Sequence, residues 1–280
     1  MTSSIVLGYV TFAYFFVFLF YLLAVVSSKG VPGSIGNRIF HLTLAVHTCA
    51  LLLRWYESYQ LGVGHVPLAN FYESLIFFTW TISLLYFLIK RRTQSGIIGL
   101  VVMPFIFLGM AYASFSGAVN SGIQPLVPAL RSNWLIVHVI TCFIGYAAFT
   151  IAFAFSITYI WQTTDENGKR GLLLRHMPST RLLNELMYEM TVVGFLMLTI
   201  GIVTGSVWAH SAWGSYWTWD PKETWSLITW LVYAAILHAY GLKRWHGKKL
   251  AVFSAIGFSC VLFTYFGVNY LQSLHSYGLQ

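Results

Sequence analysis

The groups able to do chemistry in this chain of 280 residues are its nine histidines and one short aromatic stretch. The stretch runs from Trp208 to Trp225 and reads W-A-H-S-A-W-G-S-Y-W-T-W-D-P-K-E-T-W, with five tryptophans and a tyrosine set between two apolar runs. Imidazole is a common axial ligand to haem iron, and two imidazoles on opposite faces give a six-coordinate centre. Tryptophan supplies a broad flat face and one N–H donor, so a cluster can wall a planar ligand or anchor a membrane edge. The stretch closes on Asp220-Pro221-Lys222-Glu223. Asp is a favoured N-cap, Pro suits the first helical position, and Glu three residues after the cap completes a capping box, which predicts a helix from Pro221. Asp220 and Glu223 thus have a structural role as caps, and a cap can also orient the loop before it.

Composition sets the elements that must position these residues. With 58% hydrophobic, 18% aromatic and 9% charged residues the chain is far more apolar than a soluble globule, in which about a quarter of residues are charged. The expected fold is all-α: a polytopic membrane protein, residues 1–280 forming a single integral membrane domain with 208–225 as an external tryptophan-rich segment. A span needs about 20 mainly apolar residues. Eight stretches fit, at roughly 5–26, 39–60, 71–89, 96–115, 134–160, 187–208, 225–242 and 250–271. The first has no positive region or small-residue cleavage site before it, and so reads as a retained span and not a removable signal. The hydrophilic stretch 161–185 reads as a connection with a short surface helix from Pro178, and 116–133 as a segment lying along the interface.

Thirteen of the sixteen lysines and arginines fall after spans one, three, five and seven. The positive-inside rule therefore puts both termini and the tryptophan stretch on the outer, periplasmic or lumenal, side. Basic residues gathered in short clusters between apolar runs also account for the net charge of +8 without a nucleic-acid partner. Cys49, Cys142 and Cys260 each lie inside an apolar run, form no C-x-x-C pattern, and read as buried small apolar residues.

On this topology His65, His210 and His275 are outer residues, and His138 enters the membrane from the same side, one turn past Trp134. His176 and His246 are inner-surface residues. Sharing a side with the tryptophans fits a porphyrin held by imidazole between apolar walls; solvated or core-bonded histidines fit the same spacing. Within the spans lie His41, His47, Arg54 and His238, with Glu57 and Glu189 nearer the ends. Ionisable groups there are costly and point to function. A second, inner site at His238, His41 or His47 and histidines bonded between helices are equal on spacing alone. Two further readings are a proton-coupled transporter using His238, Arg54 and Glu189, and a b-haem or quinone-linked respiratory subunit with histidine pairs at matched depth.

The segment W-G-S-Y-W-T-W-D-P-K-E-T-W at 213–225 resembles the WWD signature of haem-handling proteins in cytochrome c biogenesis. Three further stretches, N-F-Y-E-S-L-I-F at 70–77, S-N-W-L-I-V-H at 132–138 and G-V-N-Y-L-Q-S-L-H-S-Y-G at 267–278, make the chain similar to the CcsA/ResC family of system II. CcmC-like chains have fewer spans and CcmF-like chains are longer. The resemblance, from about residue 70 onward, implies a component of a CcsBA-type cytochrome c synthase that carries haem b as substrate across the membrane and attaches it to apocytochrome c. It implies haem iron held outside by His138 and His275, with Trp213, Trp217, Trp219 and Asp220 of the signature beside it, and held within the membrane by His238. The counterpart of His238 is expected in a CcsB/ResB-like membrane partner, with His41 or His47 as alternatives, and His210 is a secondary candidate. The apocytochrome would present C-x-x-C-H. The implied membrane is a bacterial plasma membrane, with a thylakoid membrane as the alternative.

Overall fold

The computed structural model describes residues 2–27, 30–93, 95–164, 177–242 and 245–271. Among them the regular structure is helical: α1 (Ser3–Ser27), α2 (Gly30–Gln60), α3 (Phe71–Thr93), α4 (Gly96–Phe115), α5 (Asn133–Thr163), α6 (Thr180–Trp213), α7 (Pro221–Gly241) and α8 (Lys248–Tyr265), with 3-10 turns at Pro128–Leu130 and Gly267–Tyr270. In hydrocarbon every backbone polar group must be satisfied internally, which a helix does within one segment. Seven of the eight helices are long and apolar enough to cross a membrane. The remaining one, α7, has 21 residues but carries Lys222 and Glu223 in its first turn and His238 in its last.

Two expected boundaries move. The helix expected from 39 begins at Gly30. The short surface helix expected from Pro178 is no separate element but the opening of α6, where Ser179 accepts from Leu182 N at 3.3 Å and Leu183, Leu186 and Met187 are already buried. The expectation of three buried cysteines also needs correction. Cys142 is buried, Cys260 half-buried and Cys49 exposed, because the face of α2 that carries Cys49 is turned away from the stripe that packs inward.

That stripe is Phe40, Leu44, His47, Leu51, Arg54 and Ser58, all buried and alternately four and three residues apart. This spacing keeps one seam of a helix against its neighbours, here α1 and α3. The seam's polar members are matched across helices. Arg54 Nε meets Glu73 Oε1 at 2.9 Å with both side chains 1% exposed. Its other nitrogens donate to Ser4 Oγ at 3.4 Å and Gly122 O at 3.3 Å, and Glu73 Oε2 accepts from Ala69 N at 2.8 Å. His47 Nδ1 lies 3.2 Å from Tyr14 Oη. Glu57 accepts from Ser3.

The second half, α5 to α8, is organised on α5, which packs against α6 and α8 and also meets α3 and α4. Small residues let the α5 and α6 backbones approach, as they do between membrane helices generally. A Cβ on Gly145 would lie 3.1 Å from Gly194 O, and one on Gly201 would lie 2.6 Å from Cys142 Sγ. One end of the bundle gathers the loop before α3, the segment before α5 and the tryptophan loop before α7. Trp208 Nε1 donates to Ala129 O at 2.8 Å, Asn70 Nδ2 donates to Gly122 O at 3.2 Å, and His65 Nε2 lies 2.9 Å from Gln124 O.

Candidate functional site

At that end a cavity of about 210 Å³ opens between the start of α3, the N-terminal part of α5, the C-terminal part of α6, the tryptophan loop, the first turns of α7 and the end of α8. Ser132 caps α5, accepting from Trp134 N at 3.3 Å, and so fixes the register that places His138 in the cavity wall. His138 Nδ1 lies 2.7 Å from Gly201 O. A carbonyl can only accept, so Nδ1 carries the proton of the neutral ring and Nε2 the lone pair. A histidine that ligates a metal is commonly oriented in this way, by a carbonyl on its other ring nitrogen. The ring approaches α6 so closely because residue 205 is glycine: a Cβ there would fall 2.6 Å from His138 Nδ1.

The aromatic wall has two layers. Trp208 lies parallel to the His138 ring, with centroids 6.0 Å apart and 13° between planes, and it lines the cavity together with Trp217. Trp213 packs edge-on against Trp208 at 4.8 Å, and Trp219 edge-on against Trp217 at 5.7 Å and 89°. Neither of these outer rings lines the cavity, and Trp219 is 68% exposed.

The loop that carries these rings is held from both ends. Gly214, at φ +77°, ends α6 in the left-handed conformation that glycine adopts without a Cβ clash, and its N–H donates to His210 O. At the other end the predicted capping box is present: Asp220 Oδ1 accepts from Lys222 N at 2.9 Å. Glu223 Oε2 accepts from Thr218 N at 2.7 Å, Asp220 N at 3.2 Å and Thr218 Oγ1 at 3.3 Å. Between them Trp219 sits at φ +59°, the only described non-glycine residue with positive φ. For a residue with a Cβ this costs about 1–2 kcal/mol, and the surrounding hydrogen bonds hold it there.

Other candidates fall elsewhere. His210 is exposed at the end of α6 and stacks on Tyr216 at 4.2 Å, pinning the loop from outside the cavity. His65 is buried and both its ring nitrogens face carbonyls, of Val66 at 2.8 Å and Gln124 at 2.9 Å. It lines a second cavity of about 240 Å³ beside Arg131, separated from the first by the shared wall of Leu68, Ala69, Leu130 and Leu135. His238 is exposed in the last turn of α7. Fifteen residues past Glu223, it lies roughly 22 Å along the axis from the cavity end. His41 is exposed on α2, whose main neighbours are α1 and α3, whereas those of α7 are α6 and α8. His275 lies outside the described residues. Among the described residues no three His, Cys, Asp or Glu side chains converge to hold a metal ion, so His138 offers ligation by a single imidazole.

The residues proposed for a proton path are dispersed. Arg54 is paired with Glu73 near the start of α3, and Glu189 is paired on the surface with Arg92 near its end. The two pairs are thus roughly 28 Å apart along that helix. Sequence reasoning passed over Trp208, Gly205, Lys222 and Tyr265, all of which line the cavity. Trp208 and Lys222 lay within the aromatic stretch; Gly205 and Tyr265 carry no local signal.

Residues 68–275 match the family of cytochrome C assembly proteins. The chain is 38% identical to the cytochrome c biogenesis protein CcsA of Synechococcus sp. (strain CC9902), covering 90% of this chain and 89% of that one. It is 39% identical to CcsA of Mesostigma viride, covering 88% and 86%. Among solved structures, the cytochrome c haem lyase CcmF superposes with a TM-score of 0.72 at 17% identity, over 95% of this chain and 47% of that chain, a likeness of fold. Matched by the family over the whole region that builds the cavity, and by these relatives over most of its length, the chain belongs to the CcsA family of cytochrome c biogenesis proteins.

Proposed function

We propose that this end of the bundle holds haem for covalent attachment to apocytochrome c, haem being the substrate and His138 one of its iron ligands. The observation that carries the reading is the orientation of His138: Nδ1 is committed to Gly201 O, so the lone pair on Nε2 belongs to a ring fixed between α6 and Trp208 in a cavity wall. His275 is the second ligand in this reading. The described chain ends at Leu271, just past Asn269 in the cavity wall, and four extended residues reach about 14 Å. Trp217 covers the macrocycle, with Trp213 and Trp219 bracing the wall from behind. Asp220 fixes the loop as the helix cap. A cavity of about 210 Å³ is smaller than the 300–1,000 Å³ or so typical of ligand sites. Haem would therefore enter by one edge and leave the rest of the ring at the mouth, where an incoming C-x-x-C-H segment meets it.

The iron keeps two imidazoles while haem waits, and the apocytochrome's own histidine then displaces one. Binding haem and thiols in register supplies the proximity that makes the addition effectively unimolecular. His238 serves a separate site within the membrane. It faces outward from this chain, so its partner ligand comes from a CcsB/ResB-like subunit and not from His41 or His47. The cavity end is the outer end, since Lys90, Arg91 and Arg92 close α3 at the opposite one, in a bacterial plasma membrane or a thylakoid.

The test is replacement of His138 by Ala. Cytochrome c maturation should be abolished and should return in part with added imidazole. Full maturation by the variant would remove the ligand assignment.

A further inference from the structure

We propose that Glu223 is the proton-transfer group for thioether formation, accepting the proton of an incoming cysteine thiol and returning it to the haem vinyl group. This rests on the haem-attachment reading above.

The carboxylate of Glu223 is divided in function. Oε2 is committed to the loop through Thr218 and Asp220. Oε1 is buried and has no hydrogen-bond partner among the described residues, and Glu223, 8% exposed, is the only carboxylate among the described residues that line the cavity. An unpaired buried carboxylate oxygen is costly, so the working complex must supply what it lacks. An ionised carboxylate only accepts hydrogen bonds, and the missing group is therefore a donor. Haem does not provide one at this wall: its vinyl groups are apolar and its ionised propionates only accept. The second substrate does, as the S–H of each cysteine in C-x-x-C-H.

The step balances without an external oxidant or reductant. Oε1 takes the thiol proton, the sulfur lone pair forms the S–C bond at the inner vinyl carbon, and the vinyl π pair moves to the outer carbon. That carbon takes the proton back from Glu223 and becomes a methyl group, so the carboxylate is regenerated and the iron does not change oxidation state. The titratable side chains that line the cavity with Glu223 are Lys222 of α7, His138, Cys142 and Tyr146 of α5, Tyr216 of the loop and Tyr265 of α8.

Glu223→Gln separates the two functions, because glutamine also completes a capping box. In cells expressing the full chain with its partner subunit and an apocytochrome reporter, two quantities are followed: haem copurifying with the protein, by absorbance, and haem bound covalently to the reporter, over time. The variant should retain its haem but attach it about 10²–10⁴-fold more slowly. Glu223→Asp, which keeps a carboxylate, should recover part of the rate. Attachment by E223Q at the wild-type rate would overturn the proposal. So would loss of haem and attachment together, which would make Glu223 a loop anchor alone. Absence of haem from the wild-type protein would remove the haem reading itself, and this one with it.

Discussion

Arg54 and Glu73 in the α1–α4 half have a partner at every side-chain nitrogen and oxygen, whereas Glu223, in a cavity wall at the α5–α8 end, keeps one carboxylate oxygen without a partner among the described residues. All three residues are buried, so burial alone does not separate a structural charge from a chemical one. What separates them is whether the neighbouring helices complete the hydrogen-bonding set or leave part of it unmet in a residue that lines a cavity. His47 is an intermediate case: its Nε2 also lacks a partner among the described residues, but it lines neither of the two cavities and is enclosed between α1 and α3. The Arg54–Glu73 pair thus reads as scaffold, and Glu223 as the carboxylate that keeps bonding capacity beside a cavity.

The sharpest break of this comparison is Arg54→Ala. It strands the Glu73 charge in the interior and should destabilise the protein by about 3–5 kcal/mol, seen as a lower unfolding midpoint in detergent. Replacing both partners together, Arg54→Met with Glu73→Leu, should recover most of that loss. His138→Ala should show the opposite pattern, with near-normal unfolding and loss of haem; a stability loss as large as that of Arg54→Ala would mean that His138 is also mainly structural. A smaller effect is expected at Gly205. An alanine methyl 2.6 Å from His138 Nδ1 must displace the ring from its bond to Gly201 O. Such overpacking costs about 1–3 kcal/mol, and haem occupancy should fall while the helices remain folded. Unchanged occupancy in Gly205→Ala would show that the ring orientation is not what prepares the site.

Much of this architecture was legible because it is local. Apolar runs of membrane length gave the helices, and D-P-K-E gave the start of α7 and the cap that fixes the loop, since a capping box is written within four residues. The pairing of Arg54 with Glu73 was not legible: it joins two helices, and no intrahelical spacing announces it, so Arg54 read as functional when it is structural. The His138 orientation was hidden for the same reason. Its partners are a carbonyl and a glycine on α6, and backbone carbonyls leave no trace in residue type. Among the tryptophans, spacing identified the cluster but not its layers, because which ring faces inward depends on the left-handed turns at Gly214 and Trp219.

Trp219 gives the smallest and most discriminating change. Its positive φ costs about 1–2 kcal/mol, and its edge contact with Trp217 is worth about 0.5–1.5 kcal/mol. Trp219→Gly removes both terms and should leave the unfolding midpoint nearly unchanged. Trp219→Ala removes only the contact and keeps the strain, so it should be less stable than the glycine variant by about 1 kcal/mol. If the Trp219 ring sets the Trp217 face, both variants should lose haem, because the brace behind Trp217 is gone in each. If glycine restores haem and alanine does not, the backbone turn positions the face and the Trp219 ring is incidental. Normal haem retention in both would leave His138, Trp208 and Trp217 as the whole of the haem wall, and would confine the chemistry of this end of the molecule to residues that line the cavity.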